Sequence, residues 1–243
     1  MHKIRFLSGN ALKLIAAAAM VADHVGLIFF PQYIIFRIIG RLAFPIFAFF
    51  IAEGCRYTRN KLRYFLTMAI IALVCQVVYF VALGDTAMSV FVTFSVSILL
   101  VYSLQYCKKV LFDKESSRIF KIFTVLAFFA LLIITYGVNR FVDMDYGFAG
   151  CIMPAFAAIF HSDESSPEFL KKLDCNTIHV LSTAISMVYM ASVNRRIQYY
   201  SLLTVPLLLL YSGKRGKAKL KYFFYLFYPL HLVALYGIYM LIS

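Results

Sequence analysis

Ala11 to Phe30 reads ALKLIAAAAMVADHVGLIFF, an apolar stretch interrupted by Lys13, Asp23 and His24. A helix rises about 1.5 Å per residue, so about 20 apolar residues cross a bilayer core. The next segment, roughly Tyr33 to Arg56, is equally apolar and carries Arg37, Arg41 and Glu53. An ionisable side chain at the centre of a bilayer costs about 3 kcal/mol on insertion scales, so a cluster of them marks a functional centre. The first two segments therefore read as membrane helices that build a polar centre.

Composition extends that reading to the whole chain. Of 243 residues, 63% are hydrophobic and 17% aromatic, and the mean hydropathy is +0.83. The expected fold is all-α, a polytopic transmembrane helix bundle in a single integral-membrane domain, 1–243. About nine spans are expected, near 11–30, 33–55, 64–83, 87–106, 119–138, 146–161, 176–193, 197–212 and 222–242. The N-terminal Met1-His2-Lys3-Ile4-Arg5 is basic, but no small-residue cleavage site follows, so the first helix reads as retained. With the N-terminus inside, the inner loops hold 18 Lys and Arg and the outer loops hold 3, namely Arg140, Arg195 and Arg196. This is the positive-inside pattern and places the C-terminus outside. The multi-pass protein is expected in the inner, cytoplasmic membrane.

The net charge of +13 follows from the same loops. Basic residues flanking spans set orientation and meet lipid headgroups, so the lipid bilayer is the expected partner and nucleic acid is not. Cys55, Cys75, Cys107, Cys151 and Cys175 are scattered and read as core-filling thiols. No Cys-x-x-Cys or Cys/His ligand spacing occurs, so no metal is expected. No phosphate loop, dinucleotide-binding glycine pattern or internal repeat is present.

Lys13 and His24 are eleven residues apart and fall within about 20° of one helix face. Asp23 and His24 are neighbours and diverge by about 100°. Asp23 is better placed to meet Arg37 or Arg41 across the Phe30-Pro31-Gln32-Tyr33 turn. Pro45 should free a carbonyl near Arg41. Glu53 reads either as part of the polar centre or as an interfacial partner of Arg56 or Arg59. His231 lies near mid-bilayer in the last span, beside Tyr228 and Pro229. Asp143, Asp145 and Tyr146 begin the sixth span at the outer face, where two acids suit a cationic or amine-bearing molecule or simply form a solvated loop.

Five stretches in this order resemble the TraX family. They are Asn10-Ala11-Leu12-Lys13-Leu14-Ile15 with Met20-x-x-Asp23-His24; Ile39-Gly40-Arg41-Leu42-Ala43-Phe44-Pro45-x-Phe47; Ala52-Glu53-Gly54; Asp145-Tyr146-Gly147-x-x-Gly150; and Phe227-Tyr228-Pro229-x-His231. The family is known for inner-membrane proteins that N-acetylate conjugative pilin. The resemblance implies acetyl-CoA as donor and an amine or hydroxyl acceptor on a protein N-terminus, glycan or lipid. By matching position it points to Asp23, His24, Arg41, Glu53, Tyr228 and His231, of which His24, Asp23 and His231 are expected to be catalytic. Lys13, Arg37, Arg41, Glu53, Tyr228, Asp145 and Tyr146 are then expected to bind donor or acceptor. Buried Asp, His and Arg also serve proton relays and anion paths, so a proton-coupled transporter or flippase is the alternative. A third reading is an assembly subunit whose charges only pair helices.

Overall fold

A computed structural model describes residues 5–78, 80, 88–194 and 196–242, with the side chain of Lys221 excepted. Lys3, Arg195 and the junction of the third and fourth expected spans lie outside the described residues. Among the described residues all regular structure is helical, apart from two isolated parallel bridges, Leu7 with Tyr211 and Met88 with Met144.

The helices are α1 (Gly9–Ile28), α2 (Ile34–Gly40), α3 (Ala43–Tyr57), α4 (Lys61–Val78), α5 (Val90–Phe112), α6 (Arg118–Phe141), α7 (Gly147–Ala158), α8 (Glu168–Leu173), α9 (Asn176–Val193), α10 (Thr204–Leu209) and α11 (Lys221–Ile242). A 3-10 helix, Arg196–Leu203, precedes α10. Six of these units are long and apolar enough to cross a membrane: α1, α2 with α3, α4, α5, α6 and α11. The chain is a multi-pass membrane protein. The segments expected as the sixth, seventh and eighth spans are helical but fall short of that standard. α7 has only 12 residues, α9 carries many hydroxyls, and the eighth is divided between the 3-10 helix and α10.

The start of α1 is tied down by chain from the far end of the sequence. Gly9 and Asn10 N–H groups have no partner within their own helix, and they donate to Lys214 and Arg215 carbonyls at 2.8 and 2.9 Å. Leu7 pairs with Leu210 and Ser212, and Asn10 Nδ2 donates to the Ala218 carbonyl at 2.6 Å. Gly216, at φ +99°, makes the turn where a Cβ would press on Ser8 and Asn10. As a result α11 starts beside α1 and runs parallel to it. Lys13 lies over Phe224, His24 meets His231, and Phe29 meets Tyr239. The end of the bundle where α1 and α11 begin is called basal below, and the opposite end apical.

The second apolar segment breaks at Arg41 and Leu42, whose N–H groups bond three residues back, to Ile38 and Ile39. Pro45 cannot donate to the Arg41 carbonyl, which removes the bond that would carry the helix through. Pro45 instead sits in the first turn of α3, where a missing N–H costs nothing. α3 and α5 form the centre, with Phe49, Ile46, Ile98, Met153 and Met187 fully buried around them. α6 keeps Ile119, Ile133 and Phe141 largely exposed, an apolar face suited to lipid.

Gly40 is the tightest point of the α1–α2 contact. A Cβ there would overlap the Asp23 carboxylate, and one at Gly26 would overlap the Phe36 side chain. Overpacking typically costs about 1–3 kcal/mol. Gly40→Ala should lower the thermal midpoint in detergent, whereas Gly137→Ala, which meets open space, should not lower it.

Candidate functional site

Asp23 uses both carboxylate oxygens on two arginines from the next helix unit. Arg37 Nη1 lies 2.9 Å from Oδ2, and Arg41 Nη2 donates to Oδ1 and Oδ2 at 3.0 and 3.1 Å. Arg41 Nε also donates to the Arg37 carbonyl at 3.2 Å. The Arg41 side chain is 7% exposed and that of Asp23 15%, so the pair is largely withdrawn from solvent. A buried charge must be paired in this way or it destabilises the fold by several kcal/mol.

His24 sits on the adjoining face of α1. Its Nδ1 is 2.9 Å from the Met20 carbonyl, and His231 Nδ1 is 2.9 Å from the Phe227 carbonyl. A carbonyl only accepts, so each Nδ1 carries the proton. His231 Nε2 is then bare and, at 3.2 Å, shares the one His24 Nδ1–H with the Met20 carbonyl. This arrangement leaves His24 Nε2 unprotonated, the form a general base requires. Asp23 does not orient this ring, because its oxygens are taken by Arg37 and Arg41. Met20 and His231 do so instead.

Both Lys13 and His24 line a cavity of about 1040 Å³, as their shared helix face leads one to expect. At its basal end are Lys13, Glu53 and Arg215. Lys13 is held over the Phe50 ring at 4.8 Å. Along the middle run Met20, Phe47 and Tyr228, and at the apical end stand His24, Asp23, Arg37, Arg41, Asp145 and Tyr146. His231 stands behind His24 and does not line the cavity. Tyr228 is buried and packs edge-on against Phe91 and His231.

The apical wall is fixed by an unusual turn. Tyr146 has φ +62° and Gly147 φ +60°; the first costs about 1–2 kcal/mol for a residue with a Cβ. The Tyr146 ring stacks on Phe44 at 3.9 Å, and Phe44 stacks on Phe94 at 5.5 Å. Thr93 Oγ1 donates to the Asp145 carbonyl at 2.7 Å, and the Asp145 N–H donates to Met88 at 3.2 Å. Asp145 lines the cavity and keeps exposed surface toward its open space. The protein packed around the cavity thins the water about the carboxylate and pushes its pKa up to about 6, against the pull of Arg41.

Glu53 does not pair with Arg56 or Arg59. Arg56 instead grips Asp174 through two 2.7 Å bonds, and Ser162 adds its N–H and hydroxyl at 2.9 and 2.7 Å. Although burial opposes it, these donors hold Asp174 at about 2. Glu53 accepts from Tyr211 at 3.4 Å and faces His161 at 3.6 Å. His161, His179 and Asp174 drew no attention in the sequence because they lie far apart in the chain and in no recognisable spacing.

The raised Asp145 pKa has a sign that can be measured. Folding holds the proton more tightly than the unfolded chain, so this group stabilises the fold below about pH 4 and loses that contribution as pH rises through about 6. Asp145→Asn should therefore raise the thermal midpoint at about pH 7 and change it little at about pH 4; equal shifts at both pH values would contradict the assignment.

Comparison with known proteins places the chain in a family. A family model described as TraX protein matches residues 8–239. The probable fimbrial assembly protein FimC, serogroup H1, of Dichelobacter nodosus is 26% identical over 239 residues, covering 94% of each chain. The uncharacterized protein RP591 of Rickettsia prowazekii (strain Madrid E) is 51% identical over 41 residues, which is 17% of this chain and 16% of that one. No solved structure matches.

Proposed function

The chain belongs to the TraX family, and from that premise we propose that it is an integral-membrane acetyltransferase using acetyl-CoA. The observation that carries the reading is the cavity. It runs from a basal end with Lys13 and Arg215 to an apical end with His24, Arg41 and Asp145. Acetyl transfer needs a base for the acceptor and fixed positive charge for the developing oxyanion. His24 Nε2 is the base, taking a proton from an amine or hydroxyl. His231 holds the imidazole and spreads the charge it gains. Arg41 and Arg37, positioned by Asp23, face the oxyanion. The acetyl carbon gains a bond to the acceptor and loses its bond to the coenzyme A sulfur, and the thiolate leaves with the proton returned through His24. Lys13, Glu53 and Tyr228 line the donor's path; Asp145 and Tyr146 receive the acceptor.

The same reading sets the topology. α1, α4, α6, α9 and α11 ascend from the basal end. The α2–α3 unit, α5, α7 and the 3-10 helix with α10 descend. His161 after α7 lies near basal Glu53, and Asn176 at the start of α9 bonds to Leu208 near the end of α10 at 3.0 Å. Counting the shorter α7, α9 and 3-10–α10 units with the six long ones, nine passages among the described residues of one domain, 1–243, put the two ends of the bundle's chain on opposite faces. The basal loops carry Arg56, Arg59, Lys61, Arg63, Lys108 and Lys109, so the basal face is cytoplasmic and the membrane is the inner one. Donor then enters from the cytoplasm and acceptor from the outer face. The fimbrial assembly role named for the D. nodosus relative makes a pilin-type subunit one acceptor class, beside glycans and lipids.

The test uses purified protein in liposomes with labelled acetyl-CoA, wild type beside His24→Ala. Coenzyme A release should fall by about a hundredfold or more in the variant at an unchanged thermal midpoint. Full release by a folded His24→Ala protein would overturn the assignment. Proton-coupled transport without any acyl-CoA would favour the transporter in its place.

A further inference from the structure

A second constellation lies at the basal end of the cavity and shares Glu53 with the donor's path. Glu53 comes from α3, His161 from the loop after α7, and His179 from the first turn of α9. All three are buried, with 9%, 5% and 4% exposure. One ligating atom from each lies within 4.8 Å of the other two. His161 Nε2 and Glu53 Oε1 are 3.6 Å apart, which is too long for a hydrogen bond. Two ligands on one tetrahedral zinc ion, each bonded at about 2.0–2.2 Å, stand about 3.4 Å apart. His161 Nδ1 has no hydrogen-bond partner among the described residues, so hydrogen bonding within the protein does not account for this ring.

We propose that Glu53, His161 and His179 bind a divalent cation of the zinc class. Two imidazoles and a carboxylate are an established donor set for that ion. Asp174 Oδ1 lies 3.0 Å from His179 Nε2, a close contact without hydrogen-bond alignment that puts a carboxylate where the outer partner of a ligating histidine stands. Asp174 is itself held by Arg56 and Ser162. Glu53 and Asp174 bring two negative charges against Arg56, while Lys108 Nζ is directed at the Ile159 carbonyl at 2.9 Å and at that of His161. The ion would join α3, α7 and α9 at the base of the bundle. It would also explain why a carboxylate on the cavity wall faces two histidines. The sequence carried no ligand spacing because the three donors come from three elements. The inference stands apart from the acetyl-transfer reading.

The experiment uses tag-free protein in detergent, stripped with chelator, dialysed and reloaded with Zn2+ or Co2+. The expected result is about one ion per chain, a visible cobalt absorption of a low-coordinate nitrogen and oxygen site, and a zinc-dependent rise in thermal midpoint. The double variant His161→Ala/His179→Ala should lose all three signatures, and His24→Ala should keep them. Glu53→Gln preserves the shape of the side chain and should weaken zinc binding by about tenfold or more, which provides a second readout if the double variant does not fold. Wild type that takes up no zinc or cobalt, or a Glu53→Gln or double variant that binds as wild type does, would overturn the proposal.

Discussion

The ion pair between Asp23 and the two arginines Arg37 and Arg41 is the constraint on which the site depends. Each charge alone would be expensive in the bilayer core, and removing one partner would strand the other at about 3–5 kcal/mol. The pair therefore fixes the register of α1 against the α2–α3 unit. Gly40 makes that register possible, because its missing side chain is the space occupied by the Asp23 carboxylate. The break before α3, made by Pro45, turns the Arg41 side chain back toward α1 at the point where the two helices meet. Charge, glycine and proline serve one geometry.

That geometry decides what His24 can do. With Asp23 neutralised by the arginines, the imidazole is not drawn into an ion pair. It is oriented by a backbone carbonyl and by a second imidazole from the last helix. The parallel run of α1 and α11 brings His231 to His24 across 207 residues of sequence, and it originates in the backbone bonds between the start of α1 and Lys214 and Arg215. A contact at the basal end therefore sets the histidine pair near the other end of the cavity.

Much of this was legible in the sequence. Charges inside apolar segments identified the polar centre, and residue counting across the Phe30–Tyr33 turn brought Asp23 to Arg37 and Arg41. The eleven-residue spacing put Lys13 and His24 on one face, and both line the cavity. Other features depended on tertiary packing. The His24–His231 bond needs the direction of α11 relative to α1, which no local pattern carries. Glu53 lost its expected arginine because Asp174, from the distant α8–α9 junction, binds Arg56 more completely, with two bonds. α7 is buried on nearly every side, so its apolar run resembled a span although its length is only 12 residues. His161 and His179 join Glu53 only after α7 and α9 pack against α3.

The central claim is that one cavity brings a cytoplasmic donor to an acceptor from the opposite face. Sealed vesicles of a single protein orientation test it most directly, with labelled acetyl-CoA confined to the side of the basic loops and an amine or hydroxyl acceptor confined to the other side. The account predicts acetylated acceptor in the compartment that never held the donor, with coenzyme A left in the donor compartment. Product formed only when donor and acceptor share one side would contradict it.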